Sequence, residues 1–324
     1  MGLLEARLSA AEKVEREKTK AEIRAKKARM AWCKVGAAVK TADGQLGMVT
    51  EDPDWRNDVK LRYDAADGKE SGWIEAGSLT QATPSDAARV ALSAKAQAAL
   101  DEQLWEAAAY ADDAAAIERL AGQGASPDAK DGDGQPAVFV AACEGHTAAV
   151  EALLRLGADA DATSTSTGGT ALMYAAQEGH AGAVATLLRF GAAVDAVDDI
   201  GQTALIWAAY HGEAECARLL LEAGAAVDQA NNNGATPLFM ASQTGHADVV
   251  AALVAAGADV EATDDYGATA LHRAAQFGHV AVIRALADLS ASVDATDPNG
   301  GTPIFAAAST GHTEAIRALV ELHA

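Results

Sequence analysis

Aromatic side chains are scarce in this 324-residue chain, at 5% of the total, although half of its residues are hydrophobic. Alanine, leucine and valine must therefore build most of any core. Only three cysteines are present, Cys33, Cys143 and Cys216. An odd number at wide spacing excludes a disulfide framework and any C-x-x-C metal site, and it suits a reducing, intracellular compartment, cytoplasmic or nuclear. No apolar run approaches the ~20 residues that cross a bilayer, so membrane insertion is not expected. Glu5, Glu12 and Glu15 interrupt the first residues, which have no apolar stretch, so no secretory signal is expected there. Ala6 stands where a myristoylation signal wants Ser or Thr.

Basic residues are scarce too, outside one segment. Residues 1–40 hold 11 Lys+Arg and 5 Glu, whereas the other 284 hold 14 Lys+Arg and 41 Asp+Glu. A body this acidic repels phosphate, so duplex DNA is not an expected ligand of it. The charge suits a protein partner with a basic segment, and equally it suits solubility of a large surface.

Signatures of catalysis are missing. There is no G-x-S-x-G, H-E-x-x-H, P-loop or dinucleotide glycine fingerprint. His211 and His323 have no Cys or His partner at metal spacing. Asp131-Gly132-Asp133-Gly134 lacks the third acidic ligand and the closing Glu of a calcium loop, and reads better as a turn. No enzyme, cofactor or metal is expected.

What the chain does have is a period. Gly-His recurs at Gly145, Gly179, Gly245, Gly278 and Gly311, with Gly212-Glu213 filling the gap, so the glycines are spaced 34, 33, 33, 33 and 33. The one longer interval coincides with the Ser/Thr/Gly run at 163–169. Nine residues before each glycine stands Thr170, Thr203, Thr236, Thr269 or Thr302, with Pro136 in the first full copy. The strings that follow read T-A-L-M-Y-A-A, T-A-L-I-W-A-A, T-P-L-F-M-A-S, T-A-L-H-R-A-A and T-P-I-F-A-A-A. A Gly-Ala pair follows each Gly-His glycine by twelve residues, at Gly157, Gly191, Gly224 and Gly257, with Ser290 in the next copy. Leu238, Ala241 and Ser242, then Val249, Val250, Leu253 and Val254, carry helical spacing.

These landmarks resemble the ankyrin repeat over residues 98–324. The resemblance implies a mostly α solenoid of about seven helix-pair units, each burying its apolar face on its neighbours. The units read as a degenerate cap at 101–130, then 131–163, 164–197, 198–230, 231–263, 264–296 and 297–324. Cys216 is then expected in the core, Cys143 partly exposed, and the Gly-His histidines bonded to neighbouring turns. Where the family commonly has Asn near the end of each copy, this chain has Asp128, Asp161, Asp195, Asp228, Glu261 and Asp294. That row reads as a ladder of like charge whose field adds along the array.

In ankyrin repeats, the turn tips and the exposed positions of the first helices line a concave face that binds protein partners. Carried over, that face holds Ile200, Asn232, Asn233 and Tyr266 at the tips, and Tyr210, His211, Gln243, Gln276 and Phe277 on the helices. The implied function is a non-enzymatic adaptor or scaffold, or a structural subunit of a larger complex. Tyr210, Ile200, Tyr266 and Phe277 read either as anchors for a partner or as side chains lying on the neighbouring repeat. Tyr174, Trp207 and Met240 read as packing.

The first hundred residues differ. Residues 1–31 read as a mixed-charge helix with a basic second half, without glycine or proline after Gly2. It suits either a solvated tether or an arm for an acidic surface or RNA. Residues 33–80 show short alternating strings at 37–41, 46–52, 59–63 and 71–74, bounded by turn dipeptides. They suit a small barrel similar to Src-homology-3-like or Tudor-like domains. Trp55, Tyr63 and Trp73 read either as that barrel's core or as an aromatic site for a methylated lysine or proline-rich peptide. In the second case the protein would be a chromatin- or RNA-linked reader. An Ala-rich linker helix is expected over 84–100, capped by Ser85 or Asp86.

Overall fold

A computed structural model describes the backbone of five short strands between residues 38 and 81, and residues 84–323, with side chains from 95 onward. The chain divides into two compact units, Met1–Ala99 and Leu100–Ala324. The helix expected over 1–31 lies outside the described residues.

In the first unit the strands are β1 (Ala38–Lys40), β2 (Leu46–Val49), β3 (Asp58–Tyr63), β4 (Glu70–Glu75) and β5 (Thr80–Gln81). Every pairing is antiparallel, in the order β4-β3-β2-β1-β5. The register shifts between Lys60 and Leu61, opposite Trp73 and Ser71, so Gly72 is the extra residue of a bulge. Four of the five strands fall on the expected strings. β5 is additional, too short to carry a periodicity.

The first helix, α1 (Pro84–Tyr110), runs unbroken for 27 residues. The linker helix and the first helix of the cap, expected as separate elements, are one. No glycine or proline lies between Ser85 and Tyr110, so nothing in the backbone stops it. Pro84 opens it, a position that needs no N–H, and the expected caps Ser85 and Asp86 sit inside the first turn.

From there the second unit repeats one motif. A row of first helices comprises α3 (Ala137–Cys143), α5 (Ala171–Gln177), α7 (Ala204–His211), α9 (Pro237–Thr244), α11 (Ala270–Gln276) and α13 (Pro303–Thr310). The C-terminal part of α1 heads this row, with Leu104 and Ala108 fully buried. A second row comprises α2 (Ala114–Gly122), α4 (Thr147–Arg155), α6 (Ala181–Arg189), α8 (Ala214–Glu222), α10 (Ala247–Ala255), α12 (Val280–Asp288) and α14 (Thr313–His323). From α3 on, each helix packs on its own partner, and from α2 on each packs on the same helix of the neighbouring unit. The core is continuous along the array, and alanine is its commonest residue. So small a side chain lets helix axes approach closely, which is how a chain poor in aromatics fills its interior. Cys216 belongs to this core. Of the spacing read from the sequence, Leu238, Ala241, Ser242, Val249, Val250 and Leu253 are inside, and Val254 is half-buried against them.

Local chemistry sets each start and stop. Thr170, Thr203, Thr236 and Thr302 cap their helices, each hydroxyl accepting the N–H three residues on at 3.2–3.3 Å. Pro136 offers no such cap. The left-handed stop after the second helix is glycine in most units but Ser290 in one, at φ 71°. Among the described residues, no helix is long and apolar enough to cross a membrane.

Candidate partner-binding face

The tips between units are built by one side chain each. Asp131, Asp198, Asn231, Asp264 and Asp297 accept the backbone N–H groups two and four residues on, at 2.8–3.1 Å. The sequence 131–134 is therefore a turn of this kind. The 34-residue interval is absorbed at a tip as well: Ser164 N donates to Gly169 O at 2.8 Å, one residue wider than Asp131 N to Gln135 O.

Two ladders fasten one unit to the next. His146 Nδ1 donates to Ala108 O, and the Nε2 atoms of His180 and His279 donate to Cys143 O and Gln243 O, all at 2.9 Å. The His180 and His279 rings lie against the glycine of the preceding unit, Gly145 and Gly245. A Cβ on Gly145 would come within 2.6 Å of the His180 ring, so glycine is needed there for space as well as for its φ of 73°. Glu213 interrupts this ladder, since a carboxylate cannot donate. His272 spans two units differently. Its Nδ1 accepts from Thr269 N at 3.2 Å, so Nε2 carries the proton given to Gly301 O at 3.1 Å.

The second ladder consists of the acids noted in the sequence. Asp128, Asp161, Asp195, Asp228 and Glu261 each accept a backbone N–H 31 or 32 residues on, from Asp159, Ala193, Ala226, Asp259 and Ser292, at 2.7–3.0 Å. Asp101 does the same for Ser126, and Asp294 faces His323 Nε2 at 2.6 Å. The row of like charge is thus a row of inter-unit staples. Sequence alone does not show this, because each partner is a main-chain group one period away.

The family model for ankyrin repeats (3 copies) matches residues 104–198, 181–264 and 257–324, together more than two thirds of the chain. The chain belongs to the ankyrin-repeat family. No curated protein matches it. In this family the tips and first helices form the concave face, and ankyrin repeats are protein–protein interaction modules.

Charge is segregated between the faces. Residues 98–324 hold 31 Asp+Glu against 8 Lys+Arg. Arg119, Arg155, Arg189, Arg218, Arg284 and Arg317 all lie on second helices, where several pair with Glu151, Glu215, Glu222, Glu314 or Glu321. Arg273 is the one arginine on a first helix. It is held by Asp264 at 2.8 Å and by Gln276 at 2.7 Å, over the Phe239 ring. The tips and first-helix ends carry Asp133, Glu144, Glu178, Asp199 and Asp265, all exposed.

The candidate residues divide by exposure. Tyr266 at 74%, Ile200 at 56% and Phe277 at 47% stand in solvent. His211, Asn232 and Asn233 are exposed too. Tyr210 is half-buried against Ile206, Phe239, Met240 and Ala235, with the His211 ring 5.1 Å away. Gln243 and Gln276 are half-buried; the Gln243 carbonyl serves His279, and the Gln276 carbonyl takes the Thr310 hydroxyl at 2.9 Å. Asn232 N donates to Ile200 O and Asn233 O accepts from Asp265 N, so the middle tips are tied in series. Tyr174 packs edge-on to Phe139 at 5.0 Å, and Trp207 Nε1 donates to Asp198 at 3.2 Å. In the first unit, Tyr63 ends β3 opposite Gly47 and Trp73 stands opposite Lys60. Trp55 and all three side chains lie outside the described residues.

Proposed function

We propose that this chain is a non-enzymatic adaptor or scaffold whose concave face takes a partner segment with an apolar anchor beside Lys or Arg. The observation that carries this is the coincidence of exposed Ile200, Tyr266 and Phe277 with a face whose one arginine is already paired. Desolvating such side chains on a partner yields most of an interface's energy, while the surrounding carboxylates speed encounter and select charge. Tyr210 serves as the floor, since part of its ring already packs on the next unit. The small sheet of the first unit, read as a barrel, would then be an accessory domain.

The test is a pull-down from source extract, identification of the partner, and titration of the full chain with it. Tyr266→Ala with Phe277→Ala should weaken binding at least about tenfold with an unchanged melting temperature. Wild-type affinity in that variant defeats this reading. Loss of binding on Trp55→Ala or Trp73→Ala instead would favour the reader built on the first unit.

A further inference from the structure

At the N-terminal end of the array, α1 and the first tip enclose a groove of about 390 Å³ lined by Glu102, Trp105, Glu106, Tyr110, Lys130 and Asp131. Its back is an aromatic corner. Trp105 Nε1 donates to Gln135 O at 3.0 Å, which fixes the indole. The Tyr110 ring stands edge-on to it, 5.7 Å away at 81°, yet is 74% exposed. Glu102 and Glu106 are exposed on the same helix one turn apart, and no Lys or Arg lies three or four residues from either. Like charges so spaced disfavour the helix. On the second helices, by contrast, Glu151, Glu215, Glu222 and Glu314 each have an arginine at that spacing. Asp131 spends one oxygen on its turn. Lys130 is the only lysine in residues 98–324, so the walls carry three carboxylates against one ammonium.

We propose that this groove receives an arginine side chain presented by a partner peptide. A guanidinium is flat enough to lie on an aromatic face, and its forked N–H groups match two carboxylates at once. It would also relieve the Glu102–Glu106 repulsion, against which no Lys or Arg stands at helix spacing. An anion would be repelled, and a neutral apolar group would desolvate the carboxylates without compensation. The inference is independent of the concave-face reading, whose residues begin at Ile200, two units away.

The full chain, labelled with ¹⁵N, provides the test through its five tryptophan indole N–H signals; Trp105→Phe identifies the relevant one. The probe is acetyl-glycyl-arginyl-glycine amide, with the citrulline peptide as a neutral isostere. The Trp105 signal should move saturably with the arginine peptide, and the citrulline peptide should bind at least about tenfold more weakly. Glu102→Gln with Glu106→Gln should weaken the arginine peptide by about tenfold with an unchanged melting curve, and Lys130→Gln should tighten it. Three results would each overturn the proposal. They are an unmoved Trp105 signal, equal binding of citrulline, and a Trp207 signal that shifts in parallel, which would mean diffuse attraction to an acidic surface.

Discussion

The acid staples allow a prediction that separates hydrogen bonding from charge. Asp128, Asp195 and Glu261 accept the N–H groups of Asp159, Ala226 and Ser292 at 3.0, 2.9 and 2.7 Å. A hydrogen bond to a charged group contributes ~1.5–3 kcal/mol where water is kept away. These carboxylates are exposed, so solvent competes and about 1 kcal/mol each is the appropriate figure. The three lie two units apart and share no partner, so their losses should add. Replacing all three by alanine should cost about 3 kcal/mol, which for a 225-residue unit lowers the melting midpoint by roughly 6–12 °C. Asp128→Asn, Asp195→Asn and Glu261→Gln together keep an oxygen where the acceptor was and remove three negative charges. That set should lose less than about 1 kcal/mol, because the bond survives in neutral form and ladder repulsion falls. Thermal melts by circular dichroism, at low and high salt, measure both sets. Equal destabilisation by the two sets would mean that charge, not the bond, matters. A wild-type melt for the alanine set would mean that the staples contribute nothing.

Two more predictions concern the interior. Ser242 is fully buried and its hydroxyl makes no hydrogen bond, whereas the equivalent residues Ala142, Ala176, Ala209 and Ala275 have none to satisfy; Ser242→Ala should stabilise by about 1 kcal/mol, read as a raised urea midpoint. Burial pushes the Cys143 thiol up to about 12 and the Cys216 thiol up to about 11, with nearby glutamates adding to the effect. Folding therefore holds these protons, so stability should fall as pH climbs past the ordinary thiol range, and at neutral pH iodoacetamide should label both far more slowly in native than in urea-unfolded protein.

How much of this was legible in the sequence depends on where each partner lies. The period, the helix pairs and the glycine stops were legible, because each unit writes its own local code in threonine, alanine and glycine. The contacts of His146, His180 and His279 followed from the family resemblance, whereas His246 and His312, expected to bond likewise, show no such bond. The staples did not, since an acid four residues after the glycine of a Gly-Ala pair gives no sign that its partner is a main-chain N–H of the following unit. The merging of linker and cap into α1 was missed because a change of role along a helix leaves no break in its composition. Tyr210 was placed at the right position but not at the right depth. What covers it is Phe239 and Met240 of the next unit, and at variable positions no pattern announces a large neighbour. The groove beside Trp105 and Tyr110 was hidden for a similar reason: its two walls are about 25 residues apart in sequence, and the α1 stretch read only as a degenerate helix.

The staples and tips also change what the net charge of −21 can do. Asp131, Asp198, Asp264 and Asp297 are occupied in their own turns, and Asp264 has its second oxygen on Arg273. The staple acids are occupied between units. Their charge still contributes to the field that attracts a cation from a distance, because a hydrogen-bonded carboxylate remains ionised. They cannot turn to meet that cation without giving up a bond that holds the array. Short-range recognition therefore falls to the few carboxylates with no such duty: Asp133, Asp199 and Asp265 at the tips, Glu144 and Glu178 at the helix ends, and Glu102 and Glu106 at the groove. Charge reversal at a staple should thus affect stability first and binding second, whereas reversal at Asp265 or Glu102 should slow association and leave the melt alone.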